Sequence, residues 1–296
     1  IAFDDFSICC LTKPQIGLCD LGKFSIANGY GNQALFFAAH SEGVDNKSIG
    51  HYSHTEGESN TAYYAAHAEG WKNIAKGMCS HTEGYCNIAN GKYSHIEGYR
   101  SITNGEYSHA EGHKTETIGN ASHAEGSSNK SIGTNSHAEG SYTESHGISS
   151  HAEGYQTEAN GANTHAEGNN TKANGNYSHT EGNITTALGD ASHAEGVETY
   201  VEGIGGHAEG YKTEVLKDGV HGHAEGCETI VNNYGAHAEG EKTIASGAIA
   251  HSEGQSTEAI GNASHSEGIG TKAIGEASHA SGYDSKAITR GAVTFG

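Results

Sequence analysis

Large apolar side chains are scarce in this sequence. Its 296 residues include one Pro, one Met, one Trp and six Phe, too few bulky side chains for an ordinary globular core. No apolar run approaches the roughly 20 residues of a membrane span, so membrane insertion is not expected. Cations are scarce too: 16 Lys and Arg stand against 36 Asp and Glu, for a net charge of −20. Nucleic acid is therefore excluded as a partner, because phosphate contacts need a basic face. No secretory leader opens the chain, and Ile1 in first place reads as a processed chain or a fragment. Low hydrophobicity with high charge is also the signature of disorder, but the strict internal order described next does not fit a random linker. Collagen fails because Gly does not fall at every third position.

What the sequence has instead is a repeat. The pentapeptide Ser-His-Ala-Glu-Gly, with small variations, recurs with its histidine at His40, His54, His67, His81, His95, His109, His123, His137, His151, His165, His179, His193, His207, His223, His237, His251, His265 and His279. Fifteen of the 17 spacings are 14 residues. One is 13, ending at His67, and one is 16, ending at His223. A Gly follows three residues after every such His, and a second Gly comes seven later in 14 of the 18 units. These glycines read as turns that use positive φ.

Between the glycines lie two short stretches of period two. Ser150, Ala152 and Gly154 alternate with His151 and Glu153, and Thr157 and Ala159 alternate with Glu158 and Asn160. Such alternation is a strand signal, so each unit is expected to be one coil of two strands and two tight turns. The fold class is all-β, a parallel β-roll (β-solenoid) of about 18 coils, which at about 4.8 Å per coil would span on the order of 85 Å. The residues just before and just after each His, and those six and eight beyond it, are almost all small. These four positions are expected to fill a flat interior. The 16-residue spacing should be absorbed around Leu216 to Gly219, and the 13-residue spacing within Asn60 to Ala65.

One face neither shrinks nor drifts. Two residues after all but the last His stands a glutamate: Glu42, Glu56, Glu69, Glu83, Glu97, Glu111, Glu125, Glu139, Glu153, Glu167, Glu181, Glu195, Glu209, Glu225, Glu239, Glu253 and Glu267. Solvated positions vary between repeats, as the second strand does, whereas these do not. Near both ends of the array the same face carries Ile26, Val293 and Phe295. A face that accepts such residues is expected to pack against something.

The 14-residue unit, and especially Ala292-Val293-Thr294-Phe295-Gly296, resembles the head repeat of YadA-like trimeric autotransporter adhesins. The resemblance covers roughly residues 25 to 296. It implies a left-handed roll, three parallel chains, and an axis-facing position for His151, Glu153 and their equivalents. A hydrophobic seam has here become a His/Glu seam. Ser-His-Ala-Glu-Gly arrays are also similar to those of phage and Gram-positive fibre proteins.

The His-x-Glu motif occurs in zinc deaminases, but their Pro-Cys-x-x-Cys partner is absent, and an enzyme needs one site rather than a lattice. No catalytic residue and no resident cofactor are expected. Two readings of the His/Glu columns remain. One is a ladder of His–Glu hydrogen bonds, with bridging waters, that holds a homotrimer together. The other is a metal-binding filament with axial transition-metal ions. Pairing with Glu is expected to raise the His pKa, so that stability would fall at alkaline pH; the alternative is that desolvation depresses it and acid charges the core.

Trp71, Tyr85 and Tyr99 take one position in three consecutive coils, and Tyr93 and Tyr107 take another at the opposite turn. They are candidates for contact with a glycan or protein surface, or for packing at a subunit boundary. Six Cys fit no zinc or haem motif; Cys79 and Cys86 should lie at opposite turns, while Cys9, Cys10 and Cys19 could link chains. Residues 1–24, with Leu11, Pro14, Ile16, Leu18 and Leu21, break the pattern and suggest a capping or docking segment before the roll domain, residues 25–296. The expectation is a non-enzymatic, extracellular, homotrimeric fibre on a cell surface or virion. It would be an adhesin head or shaft, or a phage tail fibre component, that meets a host-surface protein or glycan receptor. A purely structural filament with end-to-end contacts is the remaining alternative.

Overall fold

The computed structural model describes residues 8–10 and 23–296. Every regular element among them is a β-strand, and parallel strands stack in coils about 14 residues apart, a β-solenoid of about 19 turns. Two compact units divide the chain, Ile1–Ser145 and His146–Gly296.

A coil of the second unit shows the construction. The strand His151–Tyr155 is followed by a turn, the two-residue strand Glu158–Ala159 and a second turn. Its next coil lies in register, with His151 beside His165, Glu153 beside Glu167 and Glu158 beside Lys172. The first unit is built alike: His81–Tyr85 pairs with His95–Tyr99, and Ile88–Ala89 with Ile102–Thr103. Register of this kind turns each coil position into a column running at the strand spacing.

The four small positions form the interior, as their size requires. Ser150, Ala152, Thr157 and Ala159 are all buried. Among the described residues, every buried apolar residue is Ala except Ile96, Val201, Val215 and Val231. The three valines are accommodated by loss of a side chain opposite. A Cβ on Gly206 would lie 2.9 Å from Cγ1 of both Val201 and Val215.

The first unit carries a device that the size argument alone does not reveal. Asn46, Asn60, Asn73, Asn87 and Asn129 occupy the buried position six residues after the His. Asn87 donates from Nδ2 to the carbonyls of Glu83 (2.6 Å) and Gly98 (2.9 Å), and its Oδ1 accepts the Ser101 N–H at 2.8 Å. The side chain thus satisfies backbone groups of its own coil and the next, which a dry interior demands.

The glycines do something other than expected. Gly154 lies inside the strand His151–Tyr155, with φ of 111°, and a Cβ there would fall 2.1 Å from the Gly168 carbonyl oxygen. Gly161, at the second turn, has no positive φ; its missing side chain makes room for the Gly175 carbonyl oxygen, which a Cβ would approach to 2.3 Å. The left-handed turn positions are held by other residues, such as Gln156 and Asn163 (φ 55° each) and Ile184 (φ 60°). Stacking supports them: the Asn170 N–H donates to the Tyr155 carbonyl at 2.8 Å, and the Arg100 N–H to the Tyr85 carbonyl at 2.9 Å.

Both irregular spacings are absorbed where the pattern places them. An added turn at Leu216 to Gly219 is closed by the Gly219 N–H on the Leu216 carbonyl at 2.8 Å, and His207 still pairs with His223. In the short coil Tyr63 stands where Gly is usual, the Ala66 N–H bonds its carbonyl at 3.1 Å, and His54 still pairs with His67. The strand Ile8–Cys10 pairs with Ile26–Asn28, so one strand of the sheet falls within the segment assigned to the cap. The rest of that expectation, on Leu11, Pro14, Ile16, Leu18 and Leu21, lies outside the described residues. So do Cys19 and the Cys9 and Cys10 side chains, candidates equally for links between chains and for free thiols. Cys79, Cys86 and Cys227 are free thiols.

Candidate functional site

Period two on the longer strand sends His and Glu to the same side, and register repeats them coil after coil. The result in the first unit is one unbroken column of imidazoles from His40 to His137, with ring centroids 4.5 to 4.9 Å apart. The second unit has its own column from His151 to His279, at 4.7 to 5.0 Å. Neighbouring rings stand within 15° of parallel, because each is held by the same backbone at the same pleat. The Glu side chains form a parallel column beside each, as in Glu83 beside Glu97. At the ends, Ile26 stands in register with His40 and Val293 with His279, which confirms that all occupy one face.

In the single chain this face is half-buried. The His67 side chain is 33% exposed and that of Glu69 43%. The nitrogens are deeper than the rings: Nε2 of His81, His95, His109, His179 and His237 is buried and makes no hydrogen bond. Within a coil, Nε2 lies 3.7 Å from the Glu carboxylate at His40–Glu42 and His165–Glu167, and 4.0 Å at His67–Glu69. These are ion-pair separations, beyond hydrogen-bond reach. His279 differs, with Nε2 3.3 Å from Oε1 of Glu267 in the coil before it.

In the single chain the shifts that stand out run against the expected rise in His pKa. Burial pushes His54, His81, His109, His123, His179, His207, His237 and His265 below the usual imidazole value, and neighbouring imidazoles push in the same direction. His67 and His193 fall to about 4 for the same two reasons. The Glu carboxylates act the other way and lose. Protonating successive rings together would set like charges 4.5 to 5.0 Å apart, while the Glu of the same coil stands 3.7 to 4.0 Å away.

Three donor atoms from two successive coils approach one another closely enough to consider a shared cation. At His54–Glu56–His67, His67–Glu69–His81 and His151–Glu153–His165 they all lie within 4.8 Å of one another.

The aromatic residues gather as the sequence suggests. Trp71 and Tyr85 approach to 4.4 Å, Tyr85 and Tyr99 stack at 4.9 Å, and His113 extends the row at 5.2 Å. Lys72 lies 4.1 Å above the Trp71 ring, and the Arg100 guanidinium is 5.1 Å from that of Tyr99. Tyr93 and Tyr107 stack at 5.0 Å on the opposite turn, both in the left-handed conformation. No protein-family model and no curated protein matches the chain, so the geometry of this face and its aromatic edge carries the functional reading.

Proposed function

We propose that this chain is a segment of a non-enzymatic extracellular fibre in which three copies associate in parallel through their His/Glu faces. The observation that carries the proposal is the make-up of the interior. It is almost entirely Ala, Ser, Thr and Asn, while Ile148, Ile204, Ile249 and Ile288 lie outside, each more than half exposed. Full burial of a Leu- or Ile-sized side chain contributes about 1.5–3 kcal/mol, and an Ala much less. The single chain therefore gains little from its interior and leaves its best apolar surface uncovered. Association of copies would cover the turns and remove the half-buried His/Glu columns from water together.

The role that fits such a fibre is attachment, as an adhesin head or shaft or a tail fibre component. The row Trp71, Tyr85 and Tyr99, flanked by Lys72 and Arg100, is the surface we assign to a host-surface glycan or protein, since stacked rings with cationic neighbours suit sugars and acidic groups. Light scattering on the purified chain tests the assembly. A mass of three chains is expected, and a single-chain mass at micromolar concentration would overturn it.

A further inference from the structure

We infer that consecutive coils of a single chain form binding sites for divalent transition-metal ions, each built from two histidines and the glutamate between them, with His67, Glu69 and His81 as the type site. This goes beyond the fibre reading, because all three ligands come from one chain whatever its oligomeric state.

The first support is placement. The three donor atoms lie within 4.8 Å of one another, and the same set recurs at His123–Glu125–His137 and His151–Glu153–His165. A tetrahedral Zn²⁺ site holds nitrogen and oxygen donors about 2.0–2.2 Å from the metal, so the donors stand about 3.3 Å apart. Closing that gap needs the two imidazoles to lean toward each other and the carboxylate to swing in. Both rings are half-buried, and the Glu69 side chain has the exposure and the torsional freedom to follow.

Chemistry of the donors is the second support. Two imidazole nitrogens and one carboxylate oxygen suit Zn²⁺, Ni²⁺ or Cu²⁺, whereas Ca²⁺ and Mg²⁺ require oxygen shells. The buried Nε2 atoms of His81, His95 and His109 have no hydrogen-bond partner, and the Glu column places like charges one strand spacing apart. A bound dication answers both: it gives the nitrogen lone pairs an acceptor and offsets two carboxylates. Water completes the shell.

Spacing then fixes the stoichiometry. Each imidazole serves one ion, so ions fill alternate gaps, about one for every two coils. The first unit's eight column histidines would hold about four ions and the second unit's ten about five.

The experiment titrates metal-stripped full chain with ZnSO₄ by isothermal calorimetry, with CaCl₂ as the control. Sedimentation velocity is run on the same samples, and Co²⁺ is used as the spectroscopic probe. Expected are several Zn²⁺ per chain at a ratio near one per two coils, tetrahedral Co²⁺ bands in the visible, and little response to Ca²⁺. His81→Gln should lower the count by about one, with circular dichroism showing an unchanged fold. Fewer than one Zn²⁺ per chain, or equal uptake of Ca²⁺, would overturn the sites. So would an unchanged count in His81→Gln. Zinc uptake by a chain that sediments as a monomer would keep the sites and remove the trimer, and a metal-free trimer would do the reverse.

Discussion

A Cβ on Gly222 would lie 2.5 Å from Cγ1 of Val231, across the interior of the same coil. The two residues are therefore a matched pair: the larger side chain exists because the smaller one is missing. Gly222→Ala should destabilise the chain by about 1–3 kcal/mol, the usual cost of overpacking. Val231→Ala combined with it should cost less than the sum of the single changes, with a coupling of about 0.5–3 kcal/mol in a urea-unfolding cycle. Additive effects would show that the two side chains do not compete for one space.

The histidine columns set an acid limit. A base whose folded pKa lies below its unfolded value of about 6.5 contributes stability that is fully present above that value. The stability is lost as pH falls through the folded pKa, which is about 4 for His67 and His193. Melting temperature should therefore rise between pH 4 and 6.5 and change little from 7 to 9. An alkaline fall in the same scan would mean that pairing with Glu dominates after all.

Ile249 is 65% exposed and adopts φ of 55°, a conformation that a β-branched residue occupies at a cost. Asn163 and Asn135 occupy the equivalent turn in other coils with φ of 55° and 56°. Ile249→Asn is expected to stabilise the chain by about 1 kcal/mol. Thermal unfolding measures it directly, and a loss of stability would show that the Ile side chain is making contacts in the assembly.

Asn87→Ala removes three hydrogen bonds, one buried and two part-buried, and leaves two carbonyls and one N–H without their side-chain partner. A cost of about 3 kcal/mol is expected from bonds of this kind. Asn87→Thr, which installs the residue that coils of the second unit use, should recover part of it. Chemical denaturation of the two variants gives the comparison.

The assembly predicts a further contrast. In the single chain Glu153 is nearly half exposed, so His151→Val alone would matter little. If three chains bury the face, the same change strands a carboxylate and should cost several kcal/mol, roughly 3–5. Adding Glu153→Ile should recover most of it. Equal melting temperatures for the single and double variants would count against a buried face.

The coil was legible because its determinants are local and repeated. The 14-residue period, the small residues flanking His151 and the small pair Thr157 and Ala159 are sufficient to place strands and interior. Gly154 and Gly161 were misleading, since a sequence shows that a side chain is absent and not whether torsion or a neighbouring carbonyl forbids it. The bonding role of Asn87 was hidden by size alone, although its recurrence at Asn46, Asn60 and Asn73, always six residues after a His, was the available signal. The direction of the His67 pKa depends on ring-to-ring distance and burial against one Glu, a balance of magnitudes that spacing cannot weigh.

Uniform coils carry a hazard of their own. A strand such as His165–Asn169 meets nearly the same partner if the chain slips by one whole coil, so long-range mispairing during folding sacrifices few local contacts. The departures from uniformity then act as indexing marks. The short turn at Tyr63 and the long turn at Leu216 to Gly219 each match only one neighbour. A chain stripped of them, with every coil made identical, should retain its native strand signature yet refold into a mixture of slipped species.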